Sequence, residues 1–246
     1  MSHKICLISR EEQDEVDSSA VLAPITPSIQ SRLANRFRSL QRDEQLRLYQ
    51  HFARVPESRV VAGIFFESMA QRDLQEGIVL SLFPMVKLDK AQTGAMPQWY
   101  SSHIPLGNPI LEGYRQQALK NAITVEIKPS QTEEFPDGGP SSIDQTVFYV
   151  PEATNHETLD SFIWLDDTLY IFQFTVGGTY GIKPGLLRFF DQYLSLPRLS
   201  SWLFVFITEP NRTLICPQPW RLNLRELSLR TAVVDVKRTT EQSMAT

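Results

Sequence analysis

The sequence predicts a mixed α/β (α+β) fold: a central mixed sheet flanked by helices, with an N-terminal helical extension. Three observations predict it. Before residue 77, apolar residues recur at helical spacing in SIQSRLANRFRSLQRDEQLRLYQHFARVP and in ESRVVAGIFFESMAQRDLQEG. Beyond it, short apolar runs rich in β-branched and aromatic residues dominate. The order hairpin, helix, strand over residues 160–208 makes a ββαβ unit, whose crossover is expected to be right-handed.

The chain has 246 residues, enough for one sizeable domain and an appendage. Its formal charge is −4, so no global positive field advertises nucleic-acid binding, although a local basic groove remains compatible with it. Cys6 and Cys216 form no C-x-x-C pair, and His3, His51, His103 and His156 are scattered, so zinc chemistry is not expected. The start, MSHKICLISREEQDEVD, lacks the apolar segment of a secretory signal, and no window reaches 18 apolar residues. An intracellular chain, nuclear or cytoplasmic, without a membrane partner is expected.

Residues 1–27 read as a polar N-terminal arm, punctuated by APITPS. Residues 28–56 read as the helical extension. Ser28 is the expected N-cap of its first helix, with Ile29, Leu33, Phe37 and Leu40 as the apolar stripe. Leu46, Tyr49 and Phe52 mark a second helix, ended by Pro56. Arg32, Arg36, Arg38, Arg42 and Arg47 fall mostly off these stripes, as a solvated face or a phosphate-contacting one.

Residues 57–236 read as the main domain. Its first helix carries Val60, Ile64 and Met69 and ends at Gly77. IVLSLFPMVKL is a strand interrupted at Pro84, YRQQALKNA a short helix and AITVEIKP a strand. QTEEFPDGGPSSIDQ reads as a turn-rich loop and the best internal choice for disorder. TVFYVP is a strand. SFIWL and TLYIFQFTV flank Asp166-Asp167 as a tight hairpin. GIKPGLLRFFDQYLSLP reads as a helix whose apolar face is Leu186, Leu187, Phe190, Tyr193 and Leu194. SWLFVFIT is a buried strand, TLICP the last strand, and residues 237–246 a tail.

The chemistry concentrates in the hairpin. Residues i and i+2 of a strand share a face, so Gln173 and Thr175 point one way while Phe172, Phe174 and Val176 point the other. A turn at Asp166-Asp167 returns Asp160 to the side of Gln173. A carboxylate and an amide oxygen at one spot suit a hard cation such as Mg²⁺ or Mn²⁺, which would activate water against a phosphodiester. A structural alternative stands beside this. A buried amide left unpaired costs roughly 1–3 kcal/mol, and Asp160 or Thr175 would satisfy Gln173 without a metal.

The string Asp160, then Gln173, then Thr175 resembles the core motif of the PD-(D/E)xK phosphodiesterases, which have the restriction-endonuclease-like fold. RVVAGIFFE, YVPEATNHETLDSFI and LYIFQFTVGGTYGIKPGL sharpen it. They resemble the restriction-endonuclease-like domain of fungal Crinkler and retrotransposon-hot-spot-like proteins, over roughly residues 57–210. The resemblance implies a metal-dependent nuclease acting on DNA or RNA, with Asp160, Gln173 and Glu67 on Mg²⁺ or Mn²⁺. It implies a restriction-endonuclease-like core over 57–236 and a companion NTPase module, for which this chain has no G-x-x-x-x-G-K-[ST]. Thr175 stands at the lysine position and Gln173 at the second acid, so Lys183 is the displaced cation this chain offers. The alternative is a catalytically inactive effector on the same fold, binding a protein partner.

Overall fold

The computed structural model describes residues 6–10, 20–24, 26–88, 98–105, 109–153, 156, 158–183, 185–217 and 227–236. The chain divides into two compact units, Met1–Arg72 with Asp235–Thr246, and Asp73–Val234.

The first unit is helical with a small ribbon. Strands β1 (Cys6–Arg10) and β2 (Ala20–Pro24) pair antiparallel within the segment read from the sequence as a polar arm. Helices α1 (Pro27–Arg38), α2 (Arg42–Ala53) and α3 (Arg59–Glu76) follow. The cap of α1 is Thr26, whose hydroxyl accepts from the Ile29 N–H at 3.2 Å, and not Ser28. The proline after Thr26 sits at the first helical turn, where its missing N–H costs nothing, and this moves the helix start forward. Phe37 stacks on Phe65 at 4.0 Å, and Phe52 meets the same ring edge-on. Gly77, at φ +100°, stops α3 in the left-handed conformation that glycine adopts without strain.

The second unit is built on a large mixed sheet. Its eight strands are β3 (Ile78–Pro84), β6 (Ile123–Ile127), β7 (Gln131–Phe135), β8 (Val147–Pro151), β9 (Ser161–Leu165), β10 (Thr168–Thr175), β11 (Trp202–Thr208) and β13 (Ser228–Val233). They lie in the order β6-β3-β13-β11-β10-β9-β8-β7. The β9–β10 hairpin turns at Asp166-Asp167, where Asp166 takes φ +49°, a conformation aspartate tolerates better than most residues. β11 is parallel to β10, and β13 is parallel to β11. The hairpin–helix–strand order expected from the sequence is therefore present. A three-stranded sheet, β4 (Val86–Leu88), β5 (Gln98–Tyr100) and β12 (Ile215–Pro217), adjoins it in sequence. Helix α4 (Pro109–Leu119) lies against β3 and β4.

Three expectations need correction. QTEEF is β7, paired parallel with β8; Phe135 at its end is fully buried and anchors a strand whose other residues are polar. The helix after the hairpin, α5, spans Leu186–Phe190 and no further. Leu194, assigned to its apolar face, is 98 % exposed, while Tyr193 leaves to donate to the Pro140 carbonyl at 2.7 Å. The last strand is β13, not TLICP. The tail, 237–246, lies outside the described residues. No helix among the described residues is long and apolar enough to cross a membrane.

The core of this unit is aromatic. Tyr149 stacks on Phe162 at 4.8 Å, and Phe162 meets Phe189 and Phe190 of α5 edge-on. Ile171 and Phe204 continue that face across β10 and β11. The opposite face of β10 presents Phe172 to Phe148, so the hairpin is buried on both sides.

Candidate functional site

The pair Ser161↔Phe172 is the last rung of the β9–β10 ladder. One residue earlier, the Asp160 N–H still donates to the Phe172 carbonyl at 3.2 Å. Past this point β9 leaves the sheet, and the Phe174 N–H loses its backbone partner. The Asp160 carboxylate replaces it: Oδ2 accepts the Phe174 N–H at 2.7 Å and also the Gln173 side-chain N–H. The side chain thus extends the ladder by one rung.

Gln173 is 3 % exposed, with Phe206 of β11 on its other side. Asp160 is the hydrogen-bond partner of its amide. The Asp160 residue keeps some surface, but its carboxyl is enclosed, and burial pushes its pKa up to about 6. The Phe174 N–H, the charge of Lys183 and the Gln173 amide oppose that rise without cancelling it.

Lys183 precedes α5 and donates from Nζ to the His156 carbonyl at 3.1 Å. Thr175 is buried, and its hydroxyl accepts the Gly177 N–H at 3.0 Å. It closes the strand end locally and carries no charge. The structure therefore brings Asp160, Gln173, Thr175 and Lys183 to one end of the hairpin region. Glu67 stands half-buried on α3, in the other unit.

Sequence reasoning missed the residues that deliver Asp160. The His156 ring meets Phe135 and Phe189 edge-on, and its Nδ1 is 2.9 Å from the Thr158 hydroxyl. Thr158 in turn packs where Gly185 has no side chain: a Cβ there would lie 2.7 Å from Thr158 Cγ2. The loop carrying Asp160 and the start of α5 are locked against each other through an absent methyl group. A glycine directly before an apolar helix was the available signal.

The donor set fits a divalent cation in part. Asp160 offers hard carboxylate oxygens. Gln173 faces it with its N–H; turning the amide about its last bond would present the oxygen, and two facing acceptors are a pair that a cation satisfies. Among the described residues no group of three or more His, Cys, Asp or Glu side chains assembles a metal site. No protein-family model, no curated protein and no solved structure matches the chain.

Proposed function

We propose that the second unit is a metal-dependent phosphodiesterase, a nuclease of the restriction-endonuclease-like type, working at Asp160. The observation that carries it is an enclosed carboxylate with a raised pKa, beside a lysine, at the exit of an apolar hairpin. Evolution rarely keeps an ionisable group in such a place without a use for it. The place is also the right one: β10, β11 and β13 run parallel and end together, and open sheets bind ligands at the carboxyl ends of parallel strands.

Asp160 and the turned Gln173 amide are the ligands this unit offers to Mg²⁺ or Mn²⁺. Such a cation would supply Lewis-acid polarisation of the phosphodiester. Lys183, held by the His156 carbonyl, contributes fixed positive charge where Thr175 has none. The aromatic packing of His156 keeps that carbonyl in place.

A second reading has its own observation. Asp160 already has two N–H donors and Thr175 is committed to Gly177, so the cluster is satisfied as a polar clasp. On that reading the unit is a catalytically inactive module that binds a protein partner.

Cleavage of single-stranded DNA, duplex DNA and RNA in Mg²⁺, Mn²⁺ or EDTA separates the two. The phosphodiesterase reading expects metal-dependent products, and a loss of at least about a hundredfold in Asp160→Asn, the scale of a removed electrostatic group. Folded protein without products on any of the three substrates leaves the clasp.

A further inference from the structure

The helical unit carries a charge pattern that the sheet unit's chemistry does not use. From Thr26 to Arg59 there are seven arginines and no lysine, against Asp43, Glu44 and Glu57, on a chain of net charge −4. Helix α1 holds Arg32, Arg36 and Arg38 and no acid. Its inner side buries Ala34 and Phe37, and its outer side exposes Arg32 and Arg36, one turn apart. Beyond its acidic first turn, Asp43 and Glu44, helix α2 repeats the buried inner and basic outer sides. Gln45 and Tyr49 are buried, and Arg47 and His51 are exposed at i and i+4, with Arg54 following at i+7.

Ordinary explanations cover part of this. Basic residues in the last turn of α1 suit its dipole, which accounts for Arg36 and Arg38. Arg42 is spent on the Met69 and Val236 carbonyls, and Arg38 bonds Asn35. The dipole of α2 suits Arg54 at its C-cap in the same way; neither explanation reaches Arg32, Arg47 or Arg59, all exposed. A face kept merely for solubility interleaves both signs and uses lysine freely. The exclusive use of arginine selects the planar fork that matches phosphate oxygens two at a time.

We propose that the outer faces of α1 and α2, through Arg32, Arg36, Arg47 and Arg54, dock the phosphodiester backbone of a nucleic acid. The choice of partner rests on the nuclease reading above. No Phe, Tyr or Trp side chain is exposed on either helix among the described residues, so the surface is built to position the strand rather than to stack bases.

The test is fluorescence anisotropy of the full chain with labelled 30-mers of single-stranded DNA, duplex DNA and RNA, in EDTA, across a salt series. It compares wild type, Arg32→Ser/Arg36→Ser/Arg47→Ser/Arg54→Ser, and a control with the same charge change, Lys120→Ser/Lys128→Ser/Arg188→Ser/Arg198→Ser. Circular dichroism confirms that both variants fold. The proposal expects the arginine variant to bind at least tenfold more weakly and to lose about three and a half units of salt slope on duplex, at about 0.9 per phosphate contact. The control should change less than threefold. Equal weakening by both variants overturns it, as does an absence of salt-dependent binding. So does binding to phosphatidylserine vesicles without binding to nucleic acid. Because EDTA removes turnover, the outcomes separate. Arginine-dependent binding without metal-dependent cleavage sinks the catalytic reading alone, and cleavage unaffected by the arginine variant sinks the docking surface alone.

Discussion

At the scale of single residues, Asp160 sets a sign that can be measured. Its carboxyl titrates near 6 in the fold, against about 3.9 for an unfolded chain. Between those values the native state holds the extra proton, so this group favours folding below about pH 4. That contribution is lost as pH rises through about 6. A shift of two units is worth on the order of 2–3 kcal/mol. The substitution Asp160→Asn keeps the shape of the side chain and removes its titration. Urea unfolding at pH 4 and at pH 7 should therefore show wild type losing ~2 kcal/mol relative to Asp160→Asn over that interval. Parallel pH curves for the two proteins would mean that the carboxyl is not enclosed. The pairing of Asp160 with Gln173 was legible, because it follows from counting outward from Asp166-Asp167. Its donors were not: that the Phe174 N–H needs a partner depends on where β9 leaves the sheet, which no local pattern records.

At the scale of elements, the helices, the hairpin and the buried strand were readable because their apolar residues lie close together in the chain. β7 and β13 were not. QTEEF is polar except for Phe135 and SLRTAV is half polar, and each becomes a strand through a partner distant in sequence or through one buried anchor such as Phe135. The helix after the hairpin was overread, since Phe189, Phe190 and Tyr193 keep a helical spacing although the backbone turns after Phe190. Two glycines isolate the forces at work on elements. Gly113 lies within α4 with nothing within 4 Å of an added Cβ, so Gly113→Ala should stabilise the protein by about 0.5–1 kcal/mol, the difference in helix propensity. Gly185 has an ordinary φ of −74°, but its Cβ would strike Thr158. Gly185→Ala should cost about 1–3 kcal/mol through overpacking, and it should displace the loop that delivers Asp160. Thermal unfolding of both variants checks the pair, and an equal response at the two positions would remove the argument that Thr158 and α5 interlock.

At the scale of the whole molecule, the site hangs from the middle of the large sheet. β10 is paired with β11 from Leu169 to Thr175 and with β9 as far as Phe172, and β11 lies between two parallel neighbours. Their side chains are buried on both faces, so opening them requires the core around Phe162, Phe204 and Phe206 to open as well. Among the described residues β6 and β7 are the edges, each with one neighbour and mostly exposed side chains. Hydrogen exchange should separate these classes. Amides in 169–175 and 203–208 should exchange through global unfolding, with protection that falls in step with added denaturant. About half of the amides in 123–127 and 131–135 point away from a partner and should exchange orders of magnitude faster, independently of denaturant. Asp160→Asn should leave 203–208 unchanged and raise exchange at Phe174, where the carboxylate supplies the missing rung. Full protection over 131–135 would show that another strand covers β7 in solution, and the order of the sheet would have to be redrawn from that edge.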